Sequence, residues 1–295
     1  PLYRSILKKG FFWYYFEDSS LLPQVTEENQ PVCASIYNAD KPALLFRVTY
    51  YRRRINFEIF HALADGTGAL QFLRALVFTY LAMRHNFPGR LKDYDAAPDQ
   101  KAQDAFYQHY DRTESIPPVK RYRAYRIRGE RLLDNHLGIT EGFLSASAIL
   151  AKAHAHSATL SEFLVTLLIC AIYDGMAVRE QDRPVVITVP VDLRRFFSAE
   201  TARNFFGVIQ IAHNFQKEGR EFDQVLSHVK DSFARQLTKE NLHGVICRYS
   251  SIENNALVKA IPLQIKIPFL KLAGWWADGE DTAAFSKVGR DSIPP

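Results

Sequence analysis

Cysteine is scarce, with three residues in 295: Cys33, Cys170 and Cys247. They are odd in number and far apart, which makes a poor disulfide framework, offers no cysteine metal spacing, and suits a reducing, cytoplasmic setting. No long apolar run is present either. The longest, Phe163 to Ile172, is too short to cross a bilayer, so no membrane span is expected. The N-terminus lacks the layout of a signal peptide, and the chain opens on Pro1-Leu2, so the native start is expected upstream. Charge of one sign never accumulates. The net charge of +5 is dispersed, and the densest basic cluster, Arg52-Arg53-Arg54, reads as the exposed face of a strand, so a nucleic-acid partner is not expected. There is no internal repeat and no low-complexity tract.

What is present is the composition of a folded protein: 47% hydrophobic and 13% aromatic residues, with 23% charged residues of both signs interspersed. Alternating apolar and polar residues predict strands over Ala43 to Tyr51 and Arg54 to Phe60, joined as a hairpin. Beyond Asp65-Gly66-Thr67-Gly68, the spacing of Leu70, Phe72, Leu73, Leu76, Val77, Tyr80 and Leu81 switches to a helical period. Arg84 to Pro118 is polar and proline-containing, which predicts a surface excursion, a linker or lid. Further strands are expected at Tyr122 to Arg128, Val185 to Val191 and Phe206 to His213. Helices are expected at Ser145 to His154, at Thr159 to Asp174 with Thr159 or Ser161 as cap and Glu162 in the first turn, and at Phe222 to Leu237. An apolar stretch from Leu257 to Leu272 should be broken by Pro262 and Pro268. The class is α/β.

The chemistry concentrates in Phe60-His61-Ala62-Leu63-Ala64-Asp65-Gly66, at the turn from strand to helix. A neutral imidazole can take a proton from a hydroxyl or thiol near neutral pH. The carboxylate four residues on could orient the ring, bind a metal or hold the loop through a distant cation. On residues alone His61 could be a structural histidine, a general base or, lacking further ligands at short spacing, least plainly a metal ligand. Cys170 lies in an apolar helix and reads as a core thiol; His154, His156 and Trp275-Trp276 read as packing residues.

The stretch resembles the His-x-x-x-Asp-Gly signature of the chloramphenicol acetyltransferase-like superfamily of CoA-dependent acyltransferases, which includes alcohol acetyltransferases, plant BAHD acyltransferases and condensation domains. The resemblance extends, in order, through Gly10 to Tyr15, Phe60 to Leu73, Val189 to Arg194, Arg203 to Phe206 and Leu237 to Asn241, and looks like the bacterial alcohol acetyltransferase branch. It implies two related α/β lobes with mixed sheets and a tunnel between them, here residues 1–130 carrying the motif and residues 131–295. It also implies a chain incomplete at both ends, because family members extend before Pro1 and after Ser286-Lys287-Val288-Gly289.

By this resemblance His61 is the general base, Asp65 and Gly66 complete the catalytic turn, and Arg194 supports it by pairing with Asp65. Backbone N–H groups at Gly66 and Thr67 are candidates for an oxyanion site, and Thr67, Asn204 and Gly207 for binding substrate. The implied reaction moves an acyl group from acyl-CoA, a co-substrate rather than a resident cofactor, to a small alcohol. The condensation branch has a second histidine where this chain has Phe60, which favours ester formation from free acyl-CoA. An acyl carrier protein as donor is the alternative, and a silent binding protein of the same fold is a second. No metal is expected.

Overall fold

The computed structural model describes residues 2–86, 103–114, 116, 121–130, 132, 137–277 and 279–288, with backbone alone at 273 and 275–277. Among the described residues three sheets carry the strands, and none of them closes on itself. The first is the hairpin of β1 (Ser5–Lys9) and β2 (Tyr14–Asp18). The second orders β3 (Val25–Glu27), β4 (Phe46–Tyr51) and β5 (Arg54–Ile59), with β3 parallel and β5 antiparallel to β4.

The β4–β5 pairing realises the expected hairpin, but the arginine cluster is its tip rather than a strand face. Tyr51 pairs with Arg54, so Arg52 and Arg53 form a two-residue turn, and Arg52 takes the left-handed φ of 52° that a tight hairpin demands. The Arg52 and Arg54 guanidinium groups lie 5.2 and 5.8 Å from the centre of the Tyr51 ring.

Helix α1 (Gly66–His85) follows β5 and lies against this sheet through Phe72, whose ring is 5.1 Å from Phe57, 5.3 Å from Phe46 and stacked at 4.3 Å on Tyr3. Most of the predicted excursion between Arg84 and Pro118 falls outside the described residues. Its described piece holds α2 (Ala105–Gln108), and there Ala105 is buried and Phe106 meets Phe205 edge-on at 5.2 Å, so this part joins the core.

Next come α3 (Ala146–Ala155) and α4 (Leu160–Asp174). The cap of α4 is a reciprocal box in which Glu162 N–H donates to Thr159 Oγ1 and Thr159 N–H to the Glu162 carboxylate. Strands β6 (Val185–Asp192) and β7 (Phe206–His213) then pair antiparallel, and α5 (Phe215–Glu218), α6 (Phe222–Gln236), α7 (Lys239–Asn254), α8 (Ala256–Ala260) and α9 (Leu263–Ala277) follow. The last strand, β8 (Ala283–Ala284), returns parallel to β6 and gives the sheet order β7-β6-β8.

The main core lies where α4, α6 and α7 cover the β6–β7 pair. Val165, Ile169, Ile187, Ile209, Ile211, Val229 and Ile246 are buried there. β7 alternates without a break: Gly207, Ile209, Ile211 and His213 are buried while Phe206, Val208, Gln210 and Ala212 are partly open, as period-two geometry requires of a strand with one covered face. Burial pushes the His213 imidazole below its ordinary range, desolvation outweighing Gly219 and Glu218, which favour its charged form.

Two further expectations fail. Tyr122 to Arg128 is not a strand: Tyr125 N–H donates to Pro184 O and Tyr125 O accepts from Thr282 Oγ1, so its backbone is satisfied without a ladder. Pro262 does precede a helix start, but Pro268 sits inside α9, which runs through it. Among the described residues, no single helix is long and apolar enough to cross a membrane.

Candidate functional site

The switch from β5 to α1 builds the site. Phe60 N–H still donates to Leu45 O, as if β5 continued, and Leu63 N–H then closes a turn onto Phe60 O. His61 and Ala62 are left exposed on that turn while Leu63, Ala64 and Asp65 turn inward. Asp65 is the N-cap of α1: its Oδ1 accepts from Gly68 N–H at 3.0 Å, leaving the N–H groups of Gly66 and Thr67 at the open end of the helix.

Asp65 Oδ2 points the other way and accepts from Phe205 N–H at 2.9 Å and Arg194 Nη1 at 2.8 Å. This carboxylate is buried with both oxygens occupied. Arg194 is engaged just as fully: Nε donates to Thr201 O, Nη2 to Arg203 O, and Nη1 also to Asp192 Oδ1 at 3.0 Å. Asp192 closes the circuit by accepting from Arg194 N–H and, through Oδ2, from Thr67 Oγ1 at 3.2 Å. The pairing of Asp65 with Arg194 implied by the family resemblance is thus present in the structure. Nothing in the local sequence marks Asp192 for this role.

Gly68 also went unassigned. A Cβ there would lie 2.2 Å from Ala202 O, a backbone atom, so only glycine lets α1 approach the β6–β7 connection this closely. Its own carbonyl accepts from Tyr3 Oη at 2.8 Å. Gly66 is the opposite case, with nothing within 4 Å of an added Cβ.

His61, Asp65, Gly66 and Thr67 border a cavity of about 500 Å³. Leu70, Val189, Val191, Phe206, Phe233 and Phe285 supply apolar wall, and Ser161, Arg195 and Lys287 add polar groups. The His61 ring lies 5.5 Å from Phe206 at 60°. A second concavity of about 660 Å³, between Gln108–Arg112, Phe196–Ser198, Lys239 and His243, does not reach His61.

The remaining predicted residues are not on the cavity wall. Asn204 Nδ2 donates to the His61 carbonyl at 2.8 Å, and its Oδ1 is buried without a partner. Gly207 faces the core instead: an added Cβ would meet Leu193 at 3.3 Å and Val245 at 3.4 Å. Cys170, half-buried, has its thiol pushed up by burial and then by Asp174, which disfavours a thiolate nucleophile. His156 packs against Phe163 and Phe222, as its packing role required.

No family model matches the chain, and no curated protein sequence does. Among solved structures it is similar to polyketide synthase associated protein 5 from Mycobacterium tuberculosis, at 14% identity and a TM-score of 0.57, covering 99% of this chain and 71% of that one. It also aligns with the tallysomycin biosynthesis protein TlmII, at 12% identity and a TM-score of 0.49, covering 97% of this chain and 67% of that one. The first likeness, with the mixed open sheets described above, fixes the fold as α/β of the two-lobed, chloramphenicol acetyltransferase-like and condensation-like kind.

Proposed function

We propose that the chain transfers an acyl group from a thioester, acyl-CoA in the first instance, to the hydroxyl of a small alcohol, with His61 as general base. The observation that carries this reading is the placement of His61. It is exposed on a turn whose other side chain, Asp65, is locked by three N–H donors, and it borders a cavity within the range of about 300–1,000 Å³ usual for small-molecule sites. The bond from Asn204 to its carbonyl holds the backbone while leaving the ring to a substrate.

In this reaction the acceptor hydroxyl gives its proton to the His61 imidazole as its oxygen attacks the thioester carbonyl. The tetrahedral oxyanion finds donors in the Gly66 and Thr67 N–H groups at the head of α1, where the helix dipole also favours negative charge. The C–S bond then breaks, the ester forms, and the imidazolium returns its proton to the thiolate. Asp65 and Arg194 take no part in proton transfer and keep the turn in place. Arg195 and Lys287, exposed at the cavity, suit the phosphates of a CoA or phosphopantetheine donor.

The resemblance to the alcohol acetyltransferase branch, and Phe60 in place of a second histidine, favour ester formation from free acyl-CoA. The second reading, a carrier-protein thioester as donor, has in its favour the polyketide synthase association named for the similar structure. Giving the chain acetyl-CoA or an acyl carrier protein, each with a panel of alcohols and amines, separates them. Acceptor-dependent thiol release from CoA supports the first reading, release from the carrier alone supports the second, and release from neither overturns both.

A further inference from the structure

At the far end of β7 from the cavity, three side chains converge that the proposed reaction does not use. His213 ends β7, Glu218 ends α5, and His228 lies on α6. His213 Nδ1 is 3.6 Å from Glu218 Oε2, His228 Nδ1 is 3.7 Å from Glu218 Oε1, and one ligand atom from each residue lies within 4.8 Å of the others.

His213 is fully buried, and its ring nitrogens differ. Nε2 is 3.0 Å from the Gly219 carbonyl, which can only accept, so Nε2 carries the proton and Nδ1 presents a lone pair. That Nδ1 is buried without a hydrogen-bond partner and faces a carboxylate oxygen, also an acceptor, beyond normal hydrogen-bond length. A buried imidazole lone pair facing an oxygen of an exposed carboxylate is an arrangement that a cation between the two would satisfy.

We propose that His213, Glu218 and His228 form a structural site for a divalent transition metal, Zn²⁺ by ligand type. Two imidazole nitrogens and a carboxylate are a zinc donor set, and His213 already has the support such a ligand needs, its second nitrogen donating to a backbone carbonyl. Glu218 is held as well: Asn214 N–H donates to its Oε2 at 2.7 Å. Tetrahedral bonds of about 2.0–2.1 Å separate ligand atoms by about 3.3 Å. The two histidines meet different oxygens of Glu218, at 3.6 and 3.7 Å, so a chelating carboxylate, or closure from within 4.8 Å, brings all three onto one ion. Glu218 is exposed and His228 half-buried, which leaves solvent for the fourth position and a path of entry. The site would pin the end of β7 to α6 across the Gly219 turn, whose φ is +98°. It stands about 23 Å from Phe206 along the strand, so it takes no part in chemistry at His61.

The test is titration of Zn²⁺ into the metal-stripped chain at neutral pH, with thermal unfolding and Co²⁺ absorption spectra alongside, for the wild type, His228→Ala and Glu218→Gln. The expected result is one Zn²⁺ per chain, a rise in Tm on saturation, the strong visible bands of tetrahedral Co²⁺, and at least tenfold weaker binding in each variant. Mg²⁺ should not substitute. Absence of binding, Co²⁺ bands of octahedral type only, or equal binding by wild type and both variants would each overturn the proposal. Should a variant lose its native circular dichroism, the wild-type Co²⁺ spectrum still decides.

Discussion

β7 carries a polar cluster at each end, and the two are built on opposite principles. At the Phe206 end, Asp65, Arg194, Asp192 and Thr67 satisfy one another and the surrounding backbone, and both oxygens of the Asp65 carboxylate are used. At the His213 end, a buried imidazole nitrogen has no partner and faces a carboxylate oxygen. A saturated buried network fixes geometry and has no capacity for a ligand; an unsatisfied one holds a vacant interaction that a cation can fill. In the proposed reaction this difference makes Asp65 and Arg194 the support and His61, exposed beside them, the group that meets a substrate.

The strongest way to break this comparison is Asp65→Ala. It takes one of the two carboxylates from Arg194 and leaves the buried Gly68 and Phe205 N–H groups without their acceptor, and should cost about 3–5 kcal/mol in denaturant unfolding. A loss below about 1 kcal/mol would mean that the network is not a support. Gly68→Ala drives a Cβ against Ala202 O and should cost about 1–3 kcal/mol through displacement of α1, with a parallel fall in activity. Thr67→Val removes the single 3.2 Å bond to Asp192, and should cost about 0.5–1.5 kcal/mol by the same measurement. The other end sharpens the contrast: without metal, His228→Ala should change stability by no more than about 0.5 kcal/mol, because that ring is half-buried and its neighbours are not satisfied through it.

Much of this was legible in the sequence where one local signal decides structure. The change from period two to period 3.6 across Phe60 to Leu70 located the turn that bears His61, and Thr159 with Glu162 marked the head of α4. The alternation in Phe206 to His213 is the burial pattern of β7 itself. What stayed hidden depends on distant partners. Tyr122 to Arg128 alternates like a strand but is satisfied by Pro184 and Thr282 outside any ladder. Helix α7 escaped notice because its buried face is assembled from Leu242, Gly244, Val245, Ile246, Cys247 and Ser250, a mixture without a clear apolar stripe. Gly68 is dictated by the Ala202 carbonyl, and Gly207 packs closely against Leu193 and Val245, none of which a local window contains. The three-residue cluster around His213 likewise arises only when α5 and α6 fold back over the end of β7.

The most direct test of the central claim is release of CoA thiol from acetyl-CoA in the presence of alcohols, by the wild type and by His61→Ala. Acceptor-dependent release should fall by about 10²- to 10⁴-fold in the variant with unfolding little changed, because the His61 ring is exposed and the bond to Asn204 uses its carbonyl rather than its ring. Equal turnover by the two proteins would contradict the assignment of His61 as the base.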